Sequence, residues 1–298
     1  LYSAVVNDLH RAAGRSGVGT VMGSKNVKAV TLRGSKGVGN IKDPKRFFEA
    51  TNKAKQIIAD SEMTQGLSAL GTNVMMNHMN EVGALPARNW QDSIFENAPK
   101  LSSEAMAVPR KSDGKPNLTR NAGCFACTIS CGRISTIDPE HFTIKNRDDI
   151  HKHFKGNSGG NEYEAAWALG CDTGVDDLDA VTYANFVCNE QALDPISAGA
   201  TIAAAMELYE LGILTKEDTG GIDLTFGNAE AMVECIELIA KHEGFGIELA
   251  QSSLRFCEKY IEFCRMHCSF HLFCASLLRG LLVFLFSYLF ITFLTTSS

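Results

Sequence analysis

Three cysteines within eight residues, Cys124-Phe-Ala-Cys127-Thr-Ile-Ser-Cys131, constrain this chain more than any other feature. Thiolates separated by two and then three residues can point inward from one tight loop and reach three corners of a cubane iron–sulfur cluster, with a fourth ligand supplied from elsewhere. Zinc is the main rival, because a CxxC pair is common in zinc sites. A zinc site, however, usually asks for a second CxxC or a histidine pair at similar spacing, and none follows. Cys171 and Cys188 are within reach in principle as a fourth ligand but read better as small buried thiols.

Composition narrows the setting. A chain of 298 residues, 45% hydrophobic and 21% charged, has the make-up of a globular protein with a real core. Its net charge of -6 gives no basic footprint, so no nucleic-acid partner is expected. No signal peptide precedes the ten cysteines, which points to metal ligands or buried thiols in a cytoplasmic protein rather than to disulfides.

The periodicities predict a mainly α fold. Residues 27–32 read as a strand. Asp43-Pro44 is a helix start, with Asp as N-cap and Pro at the first helical position. Residues 84–123 read as extended loop, and the polar stretch 136–160, with three histidines, as surface. Helical patterns follow at 176–192, at 195–212 between Pro195 and Gly212, and at about 228–242 and 246–260.

A glycine-rich turn lies near the start, with Gly14, Gly17, Gly19 and Gly23 among Arg11, Arg15 and Lys25. Such a turn lets backbone approach an anion closely, with the cations supplying charge. It fits neither a Walker pattern nor a strand-led GxGxxG, so an anion cradle and a tight turn with surface arginines both stand.

Taken together, the segments resemble the aldehyde ferredoxin oxidoreductase family of tungsten- or molybdenum-dependent enzymes. The resemblance rests on Asn7-Asp8-Leu9-His10-Arg11-Ala12-Ala13-Gly14-Arg15 through Met22-Gly23-Ser24-Lys25-Asn26, on Gly71-Thr72, Asn80-Glu81-Val82-Gly83, Leu85-Pro86 and Arg88-Asn89, on the cysteine loop, on Glu162-Tyr163-Glu164 with Trp167-Ala168-Leu169-Gly170, and on Ala205 to Glu210. It covers about residues 1–260. It implies a helical middle domain at 35–260 carrying the iron–sulfur and pterin sites, preceded at 1–34 by the end of a β-rich cofactor-binding domain.

The resemblance also implies chemistry: aldehydes oxidised to carboxylic acids at a tungsten (or molybdenum) bis-pterin centre. Electrons would pass through a [4Fe-4S] cluster to ferredoxin or another electron-carrier protein. By that likeness Cys124, Cys127 and Cys131 are cluster ligands, Arg11 contacts a pterin phosphate, and the Ala12 carbonyl helps hold the Mg2+ bridging the pterins. Gly14 and Arg15 belong to the same cofactor-binding turn, Asn189 to Asp194 form a pterin loop, and Glu164 is the acid–base candidate beside the metal. A carboxylate there is useful because protons must leave as the electrons do. Other readings are an iron–sulfur electron-transfer subunit, or a reductase of aromatic acids or thioesters in the same superfamily. A homo-oligomer is left open.

Two departures stand out. Where the family's pterin loop reads Asp-x-x-Gly-Leu-Asp, this chain has Asn189-Glu190-Gln191-Ala192-Leu193-Asp194. Where some members place a Glu-x-x-His pair for a metal between subunits, Tyr183 and Phe186 stand, so that metal is not expected. The resemblance further implies a second pterin loop, a fourth cysteine ligand and a histidine beyond residue 260, so a chain without them is expected to be inactive alone. Residues 261–298 form an apolar tail, nearly all apolar at 281–294, which reads either as a membrane anchor or, as favoured here, as sequence outside the protein's own frame.

Overall fold

Short polar side chains set where the helices begin. The Asp43 carboxylate accepts from the Arg46 amide at 3.0 Å and starts α2 (Pro44–Asp60), as the sequence predicts. Asp177, Asp194 and Asn228 do the same for α7 (Leu178–Glu190), α8 (Pro195–Glu210) and α9 (Ala229–Lys241). The computed structural model describes residues 1–7, 11–37, 39–150 and 152–265, with the side chains of 153 and 261–265 outside the description. Among these residues the other helices are α1 (Val18–Ser24), α3 (Glu62–Leu70), α4 (Met75–Glu81), α5 (Ser103–Ala107), α6 (Tyr163–Leu169), α10 (Phe245–Leu249) and α11 (Ser252–Arg265). The fold is mainly α.

Two small antiparallel sheets complete it. In one, β1 (Val5–Asn7) pairs with β2 (Arg11–Ala13), Val6 opposite Ala12. In the other, β3 (Leu118–Ala122), β4 (Gly132–Ser135) and β5 (Ser158–Gly159) lie in that order. The hairpin β3–β4 has Ala122 opposite Gly132, so the three-cysteine loop is its connection.

The core lies where α6 packs on α8 and α7 on α9, with α10 and α11 closing the far side. Trp167, Leu169, Phe186, Ile202, Met206, Met232, Ile236 and Phe256 are buried there. Each such side chain contributes on the order of 1.5–3 kcal/mol by leaving water. Trp167 also donates to the Pro86 carbonyl at 2.8 Å, which ties α6 to the segment after α4. The cores of α6 and α8 anchor the site described below.

Four expectations change. Residues 27–32 form no strand: the chain there is open, with Leu32 89% exposed, and an extended segment without a described neighbour has no ladder to join. The region 84–123 contains α5, capped by Ser102, and β3. The region 136–160 is not simply surface, because Ile137, Thr143, Ile144 and Phe154 are buried, Phe154 packing edge-on against Tyr183. The single helix expected at 246–260 is two, α10 and α11, separated by residues 250–251, with Ser252 entering α11 at a left-handed φ of 69°.

Candidate functional site

The cysteine loop closes through two left-handed residues, Ala126 (φ 57°) and Ser130 (φ 54°), and the Cys127 amide donates to the Cys124 carbonyl at 3.0 Å. All three thiols are free, Cys124 and Cys127 exposed and Cys131 half-buried. The backbone amides of Ser130 and Ile129, and then the charge of Arg11, hold the Cys127 thiol below its ordinary range, toward the anionic thiolate. A cubane cluster takes each thiolate on a separate iron, and the loop offers three free thiols to one.

Arg11, at the start of β2, reaches this loop. Its Nη1 donates to Glu162 Oε1 at 2.8 Å, and its Nη2 lies so close over Gly132 that any side chain there would collide with it. Its charge interacts with Cys124 and Cys131 as well as Cys127. Glu162 precedes α6, and its other oxygen accepts from Thr72 Oγ1 at 2.7 Å, while Thr72 Oγ1 accepts from the Tyr163 amide at 3.0 Å. Arg133, next after Gly132, is buried and donates to the Leu67, Leu70 and Gly132 carbonyls and to Asn121. Sequence reading gave no role to Thr72, Glu162 or Arg133. The only signal was Glu162 standing two residues before Glu164.

The glycine-rich turn is built for the chain's own first residues. A side chain on Gly17, which has φ +65°, would meet the Leu1 carbonyl at 2.7 Å, and one on Gly19 would meet the Ala4 carbonyl at 2.5 Å. These two glycines therefore serve a backbone-on-backbone contact, and the Gly19 amide donates to Ser3. Gly14 instead faces Asp194, and Arg15 Nε lies 3.6 Å from that carboxylate. Lys25 ends α1 on the surface.

The loop 189–194 is stitched to the N-terminal segment: the Ala4 amide donates to the Ala192 carbonyl at 2.7 Å, and the Asp194 amide to the Tyr2 carbonyl at 3.0 Å. Asp194 caps α8, accepting from the Ile196 and Ser197 amides at 3.3 and 3.2 Å. Ala192 takes φ 55°, a left-handed position at the end of α7. Asn189 donates to the Gly159 carbonyl at 3.4 Å.

Glu164 stands in the first turn of α6 with much of its surface open. Protein crowded around its carboxyl group nevertheless raises its pKa, and the charge of Arg15 works against that rise. Arg15 thus relates Glu164 to Asp194, while Glu162, two residues earlier, joins the same helix start to Arg11 and the cysteine loop. Ala12 is exposed at the edge of β2. Cys171 and Cys188 are buried, Cys171 against Met76, and are held as neutral thiols by desolvation.

Comparison with known proteins decides the family. Residues 49–273 match the profile described as aldehyde ferredoxin oxidoreductase, domains 2 and 3, and residues 1–34 match that of its N-terminal domain. The chain belongs to the aldehyde ferredoxin oxidoreductase family. Relatives include the tungsten-containing aldehyde ferredoxin oxidoreductase of Pyrococcus horikoshii, 41% identical over 263 residues covering 87% of this chain and 40% of the relative. The Pyrococcus furiosus protein of the same name is 41% identical over 260 residues, 87% of this chain and 39% of the relative. An aliphatic sulfonate oxidoreductase, WOR-like subunit, from Pyrococcus furiosus is 28% identical over 88% of this chain and 38% of its own length. The chain thus spans about 40% of the length of these aldehyde ferredoxin oxidoreductases. A solved structure, the active site complex BamBC of benzoyl coenzyme A reductase with 1,5-dienoyl-CoA, shares the fold with a TM-score of 0.62 at 21% identity, over 87% of this chain and 37% of that one. Among the described residues no helix is long and apolar enough to cross a membrane; the apolar stretch 281–294 lies outside them.

Proposed function

We propose that this chain carries the iron–sulfur and part of the pterin site of a tungsten- (or molybdenum-) dependent oxidoreductase that oxidises aldehydes to carboxylic acids. Electrons would leave through a [4Fe-4S] cluster to ferredoxin or another electron carrier. The observation that supports this reading is that the start of α6 joins the two candidate segments: Glu162 is bonded to Arg11 beside the cysteine loop, and the charge of Arg15, in the turn expected at the pterins, acts on Glu164.

When bound, the metal–pterin group supplies the two-electron oxidation and the cluster the one-electron steps. The chain's own residues do the rest. Cys124, Cys127 and Cys131 present free thiols to the cluster, and the Ser130 and Ile129 amides favour the anionic sulfur at Cys127. Exposed Arg15 and half-buried Arg11 offer cations to pterin phosphates, with Gly14 and the Ala12 carbonyl at the same edge for the bridging Mg2+. Asp194 fixes the 189–194 loop, to which Asn189 also belongs, by capping α8. Glu164 takes the proton an aldehyde hydrate must lose, a role suited to a carboxylate with a raised pKa.

The test is metal analysis of anaerobically purified protein, with electron paramagnetic resonance after dithionite reduction and an aldehyde-dependent dye-reduction assay. Iron with a cubane signal, together with tungsten or molybdenum, is the expected result. Stoichiometric zinc without iron would overturn the reading, and iron without the heavier metal would leave an electron-transfer domain.

A further inference from the structure

The carboxylate of Glu162 is used twice. Oε1 accepts from Arg11 at 2.8 Å and Oε2 from Thr72 at 2.7 Å, and Thr72 is itself held by the Tyr163 amide. A side chain anchored at both oxygens cannot rotate without breaking a bond. The guanidinium it holds is therefore pinned over Gly132, against the backbone that follows Cys131. Arg11 needs such a pin. It extends from a three-residue strand at the edge of a two-stranded sheet, and a long cationic side chain there would otherwise turn to water. The second arginine near the loop, Arg133, is fixed differently, by carbonyls at the end of α3, and does not depend on Glu162.

We propose that Glu162 is a positioning residue, which holds the Arg11 cation beside the cysteine loop so that the cluster bound there is easier to reduce. This rests on the cluster reading above. Reduction adds one electron, and hence one negative charge, to a cluster whose neighbours include this guanidinium. A fixed cation stabilises the reduced form more than the oxidised one and moves the potential upward. Glu162 is itself an anion and by charge alone would act the other way. The sign of its removal therefore separates positioning from a simple charge effect.

The experiment is a redox titration of the cluster, followed by electron paramagnetic resonance, on anaerobically purified wild-type and variant proteins with matched iron content. Glu162→Ala is expected to make reduction harder, by roughly tenfold in the equilibrium constant, about 59 mV for a one-electron couple. In an Arg11→Met background the same change is expected to make reduction easier, since only a negative charge is then lost. Glu162→Gln, which keeps an acceptor for Arg11, is expected to restore the potential to the wild-type value or above it. Thr72→Val changes no charge; it is expected to shift the potential the same way as Glu162→Ala by a smaller amount, and it carries the test if Glu162→Ala does not fold. A Glu162→Ala protein that is easier to reduce with Arg11 present, or a Thr72→Val protein with an unmoved potential, would overturn the proposal while leaving the cluster reading intact. Wild-type protein that binds no iron would overturn both.

Discussion

Arg15 Nε lies 3.6 Å from the carboxylate of Asp194, whose side chain is only 3% exposed while that of Arg15 is 66% exposed. The pair is unequal. Asp194 is the structural member, because its two oxygens already accept from the first amides of α8 and from the Ser197 hydroxyl, and its own amide is bonded to Tyr2. Asp194→Ala should cost about 2 kcal/mol through loss of the cap, and Arg15→Gln well under about 1 kcal/mol, as an exposed partner does. Urea denaturation of the two variants tests this. Equal losses would mean that the ion pair, and not the cap, holds the loop.

Ala192 adopts φ 55° at the end of α7, where an L-residue pays a steric cost that glycine escapes. Its carbonyl must point where the Ala4 amide can reach it, so the conformation is imposed by the pairing with the N-terminal segment. Ala192→Gly is expected to stabilise the protein by roughly 1 kcal/mol, read as a raised urea midpoint with unchanged slope. A lowered midpoint would show that the alanine methyl packs well enough to outweigh the backbone strain.

The sequence made the helices after residue 176 legible because caps, periodicity and breakers agree there: Asp177, Asp194-Pro195, Gly212 and Asn228 all sit where the chain turns. The spacing of the three cysteines predicts one tight loop, and that loop is the connection between β3 and β4. The region 27–32 misled because alternating apolar residues say nothing about whether a neighbouring strand is within reach. At Gly17 and Gly19 the sequence left an anion cradle and a tight turn both open, since it shows that backbone comes close to something but not to what. Thr72 and Glu162 stand in the quoted motifs, yet their roles and that of Arg133 were hidden because they depend on partners 63 to 151 positions away. No local pattern encodes such contacts.

The cysteines should divide cleanly by environment. Cys124, Cys127 and Cys131 are open or half-buried in a loop, whereas Cys171, Cys188 and Cys235 are buried in the helical core. Serine at any of the first three is expected to remove the iron signal with little change in the thermal midpoint of the apoprotein. Serine at Cys188 or Cys235 places a hydroxyl among apolar neighbours and should cost about 1–3 kcal/mol while keeping the iron. Iron assays and thermal melts on the same preparations check both halves, and loss of iron in Cys188→Ser would reassign the ligand set.

Under the proposed function Glu164 is the proton acceptor, and its desolvated surroundings raise its pKa. A base of this kind is active when ionised, so aldehyde oxidation by the full-length enzyme should rise with pH across a limb lying above the ordinary carboxylate range. Glu164→Gln is expected to lower kcat by about 10²–10⁴-fold and to abolish that limb, with both metals still bound. A variant that keeps the limb would assign it to another group. Arg15→Gln should move the limb to higher pH, because Arg15 is the charge that lowers this pKa.

Asp172 offers the sharpest dependence of stability on pH. It is fully buried behind Arg88, Asn89 and Trp90, three consecutive residues with φ of 49°, 51° and 66°. The Asn89 amide donates to the Asp172 backbone carbonyl at 2.9 Å, and with the Trp90 amide lies near the carboxyl group, whose two oxygens complete no hydrogen bond. Desolvation dominates and pushes its pKa up to about 7, with those amides pulling the other way. A carboxyl group whose folded-state pKa is raised binds more protons folded than unfolded between pH 4 and 7 or so, so stability falls as pH rises through that window and is level above it. Asp172→Asn carries no such charge. Relative to wild type it should therefore be more stable at pH 8, by up to about 4 kcal/mol, with the advantage shrinking toward pH 4. Urea titrations of both proteins at pH 8, 6 and 4.5 measure the trend. A difference independent of pH would mean that the amides of the 88–90 turn keep Asp172 ionised throughout, and that its role is to brace those three left-handed residues as an anion.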